Sequence, residues 1–329
     1  MLSRVNGVKS LPYLSNYVKY KLSKKEAIIN VRKYLPQIAH FLIIKKCNLA
    51  CDFCSSAQAL YDGRGQNWKD TKADMSKIKR ILDHELFSRV LAVDLVGGEP
   101  LLVKDLPRIV SYISSSGRLT NMATNAIILK RKIQELVDSG ISSINVSIYD
   151  ENLSVLHRDL ESINRVFPVN ASFILFGTKL KEAKSEILEL VRFTHNAGCK
   201  SLRLFIYRPS DFNPNMSDVI YEGNSYYADL KNSVEDQFPN FCLWPELNNQ
   251  DTIKEKTCAQ LWQRLQVDME GNLQVCCGSE ETYANIFEND SADIYNHPLL
   301  IDMRHKLLDN NADPPSICQS CNLLSEPSY

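Results

Sequence analysis

The cysteines most constrain what this sequence can fold into, because almost all of them lie in two groups. Three are close together near the start of the chain and five lie near its end: Cys47, Cys51 and Cys54, then Cys258, Cys276, Cys277, Cys318 and Cys321. Ten cysteines in 329 residues are too sparse for a disulfide scaffold, and a reducing compartment would keep them as thiols. Clustered, reduced thiols indicate metal binding.

The composition is that of a folded chain and excludes several classes of protein. Hydrophobic residues make up 44% and charged residues 23% of the chain, which rules out wholesale disorder. The net charge of −1 provides no basic field for nucleic acid or an anionic membrane. No apolar run approaches the ~20 residues of a membrane helix, and Met1 to Ser10 lack the apolar segment of a secretion signal. We expect a cytoplasmic protein with neither nucleic acid nor membrane as partner.

Short apolar runs alternate with amphipathic stretches from residue 37 to residue 207. The apolar runs predict six strands, over residues 41–44, 90–96, 119–123, 144–148, 171–176 and 201–206. Helices are predicted between them, for example over residues 153–166. This alternation is typical of an α/β fold, either a parallel sheet or a partial barrel.

The alternation stops after Tyr207. Residues 208–257 are rich in Asn, Asp and Pro, with one predicted helix near residues 226–234. Residues 265–275 then alternate in polarity around a Glu-Gly-Asn turn, which predicts a β-hairpin. We therefore predict an N-terminal extension over residues 1–36, a core over 37–207, a bridging region over 208–257 and a small domain over 258–329.

The first cysteine group has the spacing C-x3-C-x2-C and directly follows the first predicted strand. Its members are Cys47, Cys51 and Cys54. Three thiolates on one loop can hold three irons of a 4Fe–4S cluster and leave the fourth iron open to a ligand. Zinc is the alternative, but no fourth ligand stands at the usual spacing.

A second motif, Gly97, Gly98, Glu99 and Pro100, directly follows the second predicted strand. Glycines allow a backbone to approach a ligand closely, and a carboxylate can accept a charge-assisted hydrogen bond from an ammonium group. A lone Gly-Gly-Glu-Pro is a weak signal. One strand after C-x3-C-x2-C, it is a strong one.

Together the two motifs resemble those of the radical S-adenosylmethionine (SAM) superfamily. The resemblance implies an α/β fold with a partial (β/α)6 TIM-like barrel, and SAM bound to the open iron of a 4Fe–4S cluster. One electron would cleave SAM to a 5′-deoxyadenosyl radical that abstracts a substrate hydrogen atom. It also implies that Phe53 packs near the adenine and that Glu99 binds the SAM ammonium.

Polar residues end the next two predicted strands. Asn125 ends the third, where related enzymes often carry Thr-Asn-Gly and this chain has Ala126 in place of glycine. Ser147 ends the fourth, where the family often places a polar contact to SAM, and Asp150 follows. Each of these is also explained by a helix cap or a turn.

The second cysteine group resembles the twitch domain, a shortened SPASM domain of radical SAM enzymes. Cys258 and Cys276 flank Gly271 with the C-x(n)-G-x4-C spacing, and Cys318 and Cys321 form C-x2-C. The resemblance implies one auxiliary 4Fe–4S cluster held by these four cysteines. Neighbouring residues of a strand point to opposite faces, so the spacing selects Cys276 rather than Cys277 as the ligand.

Cysteines outside these two ligand sets are explained most simply as buried, inert thiols. The alternative is that one of them donates a hydrogen atom to a substrate radical, and the better-placed candidates are Cys277 and Cys242. Candidate acids and bases, for which structural roles are the first expectation, are His157, Asp159, Tyr149, Tyr207 and Glu246. Arg158 and Arg208 are candidates for binding the SAM carboxylate, although Arg158 is more typical of a solvated surface.

Three hypotheses for function remain open. In the first, the protein oxidises or rearranges a small polar molecule, such as a sugar, an aminocyclitol or a nucleoside-like compound, with the auxiliary cluster as electron acceptor; this pattern is similar to that of the deoxy-scyllo-inosamine dehydrogenases. In the second, it modifies a ribosomally made peptide by epimerisation, thioether formation or crosslinking. In the third, it is a non-catalytic iron–sulfur or zinc protein. Either enzyme would need a one-electron reductant such as flavodoxin or ferredoxin.

Overall fold

A computed structural model of the chain describes residues 15, 18, 36–54, 74–209, 215–247, 258, 260–276, 279, 281–309, 311–318 and 321. Within these residues one sheet of ten strands organises the fold, in the order β10-β9-β8-β1-β2-β3-β4-β5-β6-β7. The strands are β1 (Ile38–Ile44), β2 (Ala92–Gly97), β3 (Leu119–Thr124), β4 (Ser143–Ser147), β5 (Asn170–Leu175), β6 (Leu202–Ile206), β7 (Cys242–Leu243), β8 (Arg264–Asp268), β9 (Asn272–Gln274) and β10 (Thr282–Asn285).

Helices follow most of the strands. They are α1 (Met75–Asp83), α2 (Leu106–Ser115), α3 (Leu129–Asp138), α4 (Leu153–Val166), α5 (Lys184–Asn196), α6 (Ser225–Gln237), α7 (Gln260–Gln263), α8 (Ser291–Tyr295) and α9 (Pro298–Leu308). Strands β1 to β6 pair in parallel and in chain order. Successive β–α units with a parallel sheet are the expected α/β fold with a partial TIM-like barrel, and that prediction is confirmed.

The two faces of the sheet differ in polarity, and this difference positions the helices. Ala39, Phe41 and Ile43 alternate along β1 and are fully buried in the apolar core. Helix α1 buries Ile78 and Ile81 in the same core. The apolar face of the sheet therefore packs against the helices, as the period of two along the strand predicts.

The opposite face, inside the partial barrel, carries polar side chains that bind one another. His40 Nε2 lies 2.9 Å from Asp94 Oδ2, and Asn121 Nδ2 donates to Asp94 Oδ1 at 2.7 Å. On the next strands Asn145 Nδ2 donates to Ser172 Oγ at 2.7 Å. The interior of the barrel is thus lined by hydrogen-bonding groups.

The C-terminal hairpin extends the core sheet. Strands β8 and β9 form the predicted antiparallel hairpin, but β8 also pairs in parallel with β1, with Phe41 opposite Val267. The alternation of apolar residues predicted the hairpin and not this long-range pairing. Strand β9 ends at Gln274 and Cys276 lies in a bend beyond it. Cys276 is therefore not part of a strand, and the alternation of strand faces does not choose between Cys276 and Cys277 as the ligand. Cys277 lies outside the described residues.

Among the described residues, no helix is long and apolar enough to cross a membrane.

Candidate metal and cofactor site

The first cysteine loop leaves the carboxyl end of β1. Residues 45–54 have no helical or strand structure apart from a turn, in which Cys54 N donates to Cys51 O at 3.0 Å. Leu49 N donates to Cys47 Sγ at 3.4 Å. Cys51 is buried, and Cys47 and Cys54 are half-buried. The three thiols therefore lie at the edge of the sheet where ligands bind in parallel α/β folds.

Gly97 and Gly98 hold this loop against the end of β2. Gly98 N donates to Ile44 O at 2.8 Å, and Glu99 N donates to Lys46 O at 2.9 Å. A Cβ atom at Gly97 would lie 2.0 Å from Ile44 O, and one at Gly98 would lie 2.3 Å from Lys46 O. Both positions thus require glycine. Their close approach is to the cysteine loop, whereas the sequence suggested approach to a ligand.

Glu99 is fully buried and connects the ends of β2 and β3. Its Oε1 accepts hydrogen bonds from Leu101 N at 2.9 Å and Thr124 Oγ1 at 2.7 Å. Its Oε2 accepts one from Asn125 N at 2.8 Å. Burial raises the pKa of the Glu99 carboxyl, although these hydrogen bonds act in the opposite direction. A carboxylate has about four acceptor positions, so little capacity is left for an ammonium group.

Pro100 is buried and begins a short 3₁₀-helix, Pro100–Leu102, that Glu99 caps. The missing N–H of proline costs nothing at the first position of a helix. Local structure beside the cysteine loop therefore explains Gly97, Gly98 and Pro100, and it uses three of the acceptor positions of Glu99.

Asn125 joins β3 to the cysteine loop. Its Nδ2 donates to Asn48 Oδ1 at 2.8 Å and lies 3.8 Å from Cys47 Sγ. Asn152, which is also fully buried, donates from Nδ2 to Asn125 O at 2.7 Å and to Ser147 O at 2.8 Å. Sequence reasoning missed Asn48 and Asn152. The available signal was an asparagine just beyond a strand end, at the edge where polar groups converge.

An aromatic row borders the cysteine loop on its other side. The Phe53 ring lies 5.4 Å from that of Tyr149 and 5.7 Å from that of Phe176. Phe176 in turn lies 5.2 Å from Tyr207. Burial raises the pKa of Tyr149 to about 12, so its phenol stays neutral at physiological pH. Ser147, half-buried below this row, accepts a hydrogen bond from the Ser172 hydroxyl at 3.5 Å.

The thiols of the first loop are crowded. The pKa of Cys51 is raised to about 12, first by burial and then by the negative charges of Glu151 and of the other two cysteines. Burial and Glu99 likewise raise the pKa of Cys47. A metal centre would compensate for this crowding, because coordination deprotonates thiols outright. An all-sulfur donor set fits an iron–sulfur cluster.

The second cysteine group is assembled from distant segments. Cys258 precedes α7, Cys276 follows β9, and Cys318 and Cys321 form a turn in which Cys321 N donates to Cys318 O at 3.1 Å. The pKa of Cys258 is raised to about 12, first by burial and then by the charges of the other three thiols. The pKa of Cys318 is likewise raised to about 12, first by burial. The four predicted ligands therefore lie near one another.

An apolar cluster surrounds this second group. Its buried members are Leu261, Trp262, Val275, Leu300, Met303 and Leu307. Cys258 and Cys318 pack against it. Among the described residues, no three His, Cys, Asp or Glu side chains form a site for a single metal ion.

Arg208 contacts the second group. Its Nη1 donates to Cys321 Sγ at 3.6 Å. The sequence suggested that Arg208 could bind the SAM carboxylate beside the first group, and the structure shows instead a contact with the second. Arg158 is exposed and pairs with Asp159 at 2.7 Å, as expected for a surface arginine.

Cys242 lies at the opposite edge of the sheet from the first loop. It pairs with Leu202, which is the first residue of β6, and it is buried. The first cysteine loop extends from the carboxyl edge. The structure therefore contradicts Cys242 as a hydrogen donor at that edge. Cys199 is also buried, next to Asn164 Nδ2 at 3.5 Å.

The structure gives the surroundings of the remaining candidate residues. His157 is exposed on α4 and its ring lies 4.1 Å from that of Phe193. Asp159 has a pKa lowered to about 2, first by its hydrogen bond with Arg158 and also by Lys130. Glu246 is exposed, and so is Asp150 in a short 3₁₀-helix. Structural roles account for these residues.

Three thiols at the carboxyl edge of a partial barrel, followed by four more in the C-terminal segment, define an iron–sulfur protein built for two centres. Residues 41–160 match the model of the radical SAM superfamily, and residues 258–322 match that of the SPASM iron–sulfur cluster-binding domain. The chain belongs to the radical SAM superfamily and carries a C-terminal SPASM domain. These domains imply SAM with a 4Fe–4S cluster, and auxiliary iron–sulfur binding.

The chain is also similar to individual curated proteins and solved structures. It is 37% identical over 120 residues to a "Probable GTP 3′,8-cyclase" of Methanococcus maripaludis, covering 35% of this chain and 38% of that protein. It is 28% identical over 187 residues to a GTP 3′,8-cyclase of Aquifex aeolicus, covering 52% and 56%. The chain thus spans about half or less of the length of these relatives. The crystal structure of Streptococcus suis SuiB bound to precursor peptide SuiA aligns with a TM-score of 0.66 at 18% identity, over 94% of this chain and 73% of that one.

Proposed function

We propose that the protein abstracts a hydrogen atom from a small polar substrate at the first cysteine site and passes an electron to a cluster at the second. Cys47, Cys51 and Cys54 would hold the cluster that binds SAM. The second cluster would be held by Cys258, Cys276, Cys318 and Cys321. When bound, cluster and SAM supply a 5′-deoxyadenosyl radical as the hydrogen abstractor.

The observation that carries this proposal is the convergence of polar groups on the first cysteine loop. Asn125 bonds to Asn48 in the loop, and Glu99 fixes the Asn125 backbone. A purely structural cluster has no need for strand ends arranged around an open coordination position. Asn125, Ser147 and the remaining acceptor position of Glu99 are the groups we assign to SAM.

Aromatic side chains would exclude water from the reacting centre. Phe53, Phe176 and Tyr207 form a continuous apolar row beside the loop. A radical that reacts with any nearby hydrogen needs such an enclosure, which also prevents side reactions. We assign to Phe53 the face against which the adenine packs.

The polar interior of the barrel favours a polar substrate. His40, Asp94 and Asn121 form a hydrogen-bonded row there, and burying such polar groups against an apolar substrate is less favourable than placing a polar substrate beside them. The names of the curated relatives, which refer to GTP, support a small polar molecule as well. The similarity to SuiB, at 18% identity, shows the fold alone.

The proposed reaction balances if the second centre accepts one electron. Loss of a hydrogen atom from a carbinol carbon, of the hydroxyl proton to a base, and of one electron converts the alcohol to a ketone. Four thiolates saturate a 4Fe–4S cluster, so the second group is suited to electron transfer rather than to substrate binding. A flavodoxin or ferredoxin in a reducing cytoplasm would supply the electron that begins each turnover.

Anaerobic reconstitution followed by a substrate panel tests the proposal. We expect about eight irons and eight sulfides per chain, and 5′-deoxyadenosine when dithionite and SAM are added. The panel would contain aminocyclitols, sugars, nucleotides and a mixed peptide library. Oxidation of a small alcohol with an equal amount of 5′-deoxyadenosine would support the proposal. Turnover of peptides alone would overturn the substrate class, and about four irons would overturn the electron acceptor.

A further inference from the structure

Arg208 is held in a defined position at the carboxyl edge of the core. It lies two residues beyond the end of β6 and is half-buried. The preceding residue, Tyr207, is 3% exposed, and its backbone N–H donates to Leu175 O at 2.9 Å. The Tyr207 ring packs against Phe176 at 5.2 Å. The backbone at Arg208 is therefore anchored to the sheet, not carried by a free loop.

From this position the Arg208 side chain reaches across to the C-terminal domain. Its Nη1 donates to Cys321 Sγ at 3.6 Å, within the range of a hydrogen bond to sulfur. The same guanidinium group acts on Cys318, the other cysteine of the C-x2-C pair, against the effect of burial. A side chain just beyond the last core strand thus places a positive charge beside two predicted ligands of the second centre.

A cation next to a thiolate ligand favours reduction of an iron–sulfur cluster. Four thiolates give the cluster a net negative charge, and reduction adds one more electron. A guanidinium group is always charged at physiological pH, and hydrogen bonds to the sulfurs and net charge are among the factors that set cluster potentials. The hydrogen bond from Arg208 to Cys321 and the positive charge of Arg208 would both raise the reduction potential of the cluster.

We propose that Arg208 is a positioning residue that raises the reduction potential of the auxiliary cluster, so that this cluster accepts the electron left on the substrate. The inference rests on the proposed second cluster. It adds that the acceptor is tuned by a residue that follows β6, not only by its own domain. The aromatic row from Phe53 to Tyr207 places Arg208 at the end of one continuous wall that begins in the first cysteine loop.

Redox titration of the auxiliary cluster alone, followed by EPR, tests this inference. The parent is the full chain with Cys47, Cys51 and Cys54 replaced by Ala, so that the remaining signal belongs to the second centre. Arg208→Gln should lower the midpoint potential by at least about 59 mV, which corresponds to a tenfold change in a one-electron equilibrium constant. Arg208→Lys, which keeps the charge but not the fork of donors, should lower it less. Arg165→Gln, an exposed arginine of α4, controls for net charge and should leave the potential unchanged.

The outcomes separate this inference from the proposed function. Equal potentials for the parent and Arg208→Gln, at equal iron content, would overturn the role of Arg208 and leave the second cluster in place. Loss of iron in Arg208→Gln alone would mean that Arg208 assembles the site and does not tune it. If the parent binds no iron, the second group holds no auxiliary cluster, and the role of Arg208 is overturned together with the proposed function. Repeating the titration in the chain with all its cysteines and added SAM, which perturbs the first centre, guards against misfolding of the parent.

Discussion

The two cysteine groups lie in surroundings of opposite character. In the first, one short loop supplies all three thiols. The Asn125 amide bonds to that loop, and the buried Glu99 carboxylate fixes the Asn125 backbone. In the second, four thiols come from distant segments, and an apolar cluster around Trp262 and Met303 brings these segments together. With a 4Fe–4S cluster at each group, three thiolates would leave one iron open to a ligand and four would leave none.

This difference indicates how each centre depends on its metal. Closing a short loop costs little conformational entropy, and the hydrogen bonds to β2 and β3 position the first loop through protein groups alone. The second group closes a long stretch of chain, and a metal centre bound there contributes to the folding of that stretch. We expect loss of the first metal centre to affect chemistry, and loss of the second to affect structure as well.

The largest expected effect is that of Cys51→Ala. Without this ligand the open cluster should not assemble, so 5′-deoxyadenosine formation should fall to background and iron should fall to about four per chain. Anaerobic iron analysis and chromatography of the SAM products measure both. Cys199→Ala, which removes a buried thiol outside both groups, should change neither. Undiminished 5′-deoxyadenosine in Cys51→Ala would contradict the assignment of the first group.

Cys318→Ala should separate the two centres. SAM cleavage should continue, because the first group is intact, but net oxidation of the substrate should stop for lack of an acceptor. Hydrogen exchange should also increase in α9, which packs in the apolar cluster beside Cys318, and not in β1 to β4. Normal product formation in this variant would show that the second centre is not the electron acceptor, and the proposed difference in role between the two groups would be wrong.

The apolar support of the second group can be tested by Met303→Ala. Met303 is 5% exposed, and truncating a buried methionine typically costs about 2–5 kcal/mol of unfolding free energy. The variant should lose iron from the second group and keep 5′-deoxyadenosine formation. Met216→Ala, at an exposed methionine, should cost no more than about 0.5 kcal/mol. Equal retention of iron by both variants would show that the apolar cluster does not assemble the site.

The polar support of the first group can be tested by Asn152→Ala. This side chain is fully buried and bonds to Asn125 O, Ser147 O and Tyr149 N. Leaving such buried groups unpaired costs roughly 2 kcal/mol, to be measured by anaerobic urea unfolding. The half-buried Asn170 donates to Ser143 Oγ at 3.1 Å, and Asn170→Ala should cost less. A larger loss of unfolding free energy in Asn170→Ala than in Asn152→Ala would mean that Asn152 does not support the first cysteine group.

Sequence reasoning succeeded where the signal is local. The helix predicted over residues 153–166 has those bounds, and the hairpin around Gly271 lies where the alternation of apolar residues places it. The spacing of the cysteines identified both groups. These features depend on neighbours within one turn of helix or one strand pair, so the order of residues carries them.

It failed where the determining contact is distant in the sequence. No local pattern shows that β8 lies beside β1, that Arg208 reaches Cys321, or that Gly97 is required by the Ile44 carbonyl. Cys242 was a candidate because of its position along the chain, and sheet register places it at the wrong edge. Pairing and register are set by packing of the whole sheet, which single residues do not encode.

The smallest expected effect concerns Ala126, which follows Asn125 at the first site. Its φ is 60°, a left-handed conformation that costs an L-residue roughly 1–2 kcal/mol, and its methyl group is 1% exposed in the core. Ala126→Gly would relieve the strain, but it would lose about 0.8 kcal/mol of burial and about 0.5–1 kcal/mol to the entropy of the unfolded chain. Ala123→Gly, within β3, would lose entropy and packing without relieving strain. We therefore expect Ala126→Gly to be more stable than Ala123→Gly by about 1 kcal/mol in urea unfolding. Equal stabilities of the two variants would mean that the left-handed conformation of Ala126 stores no strain. The burial of its methyl group would then not explain why this chain has alanine where related enzymes often carry glycine.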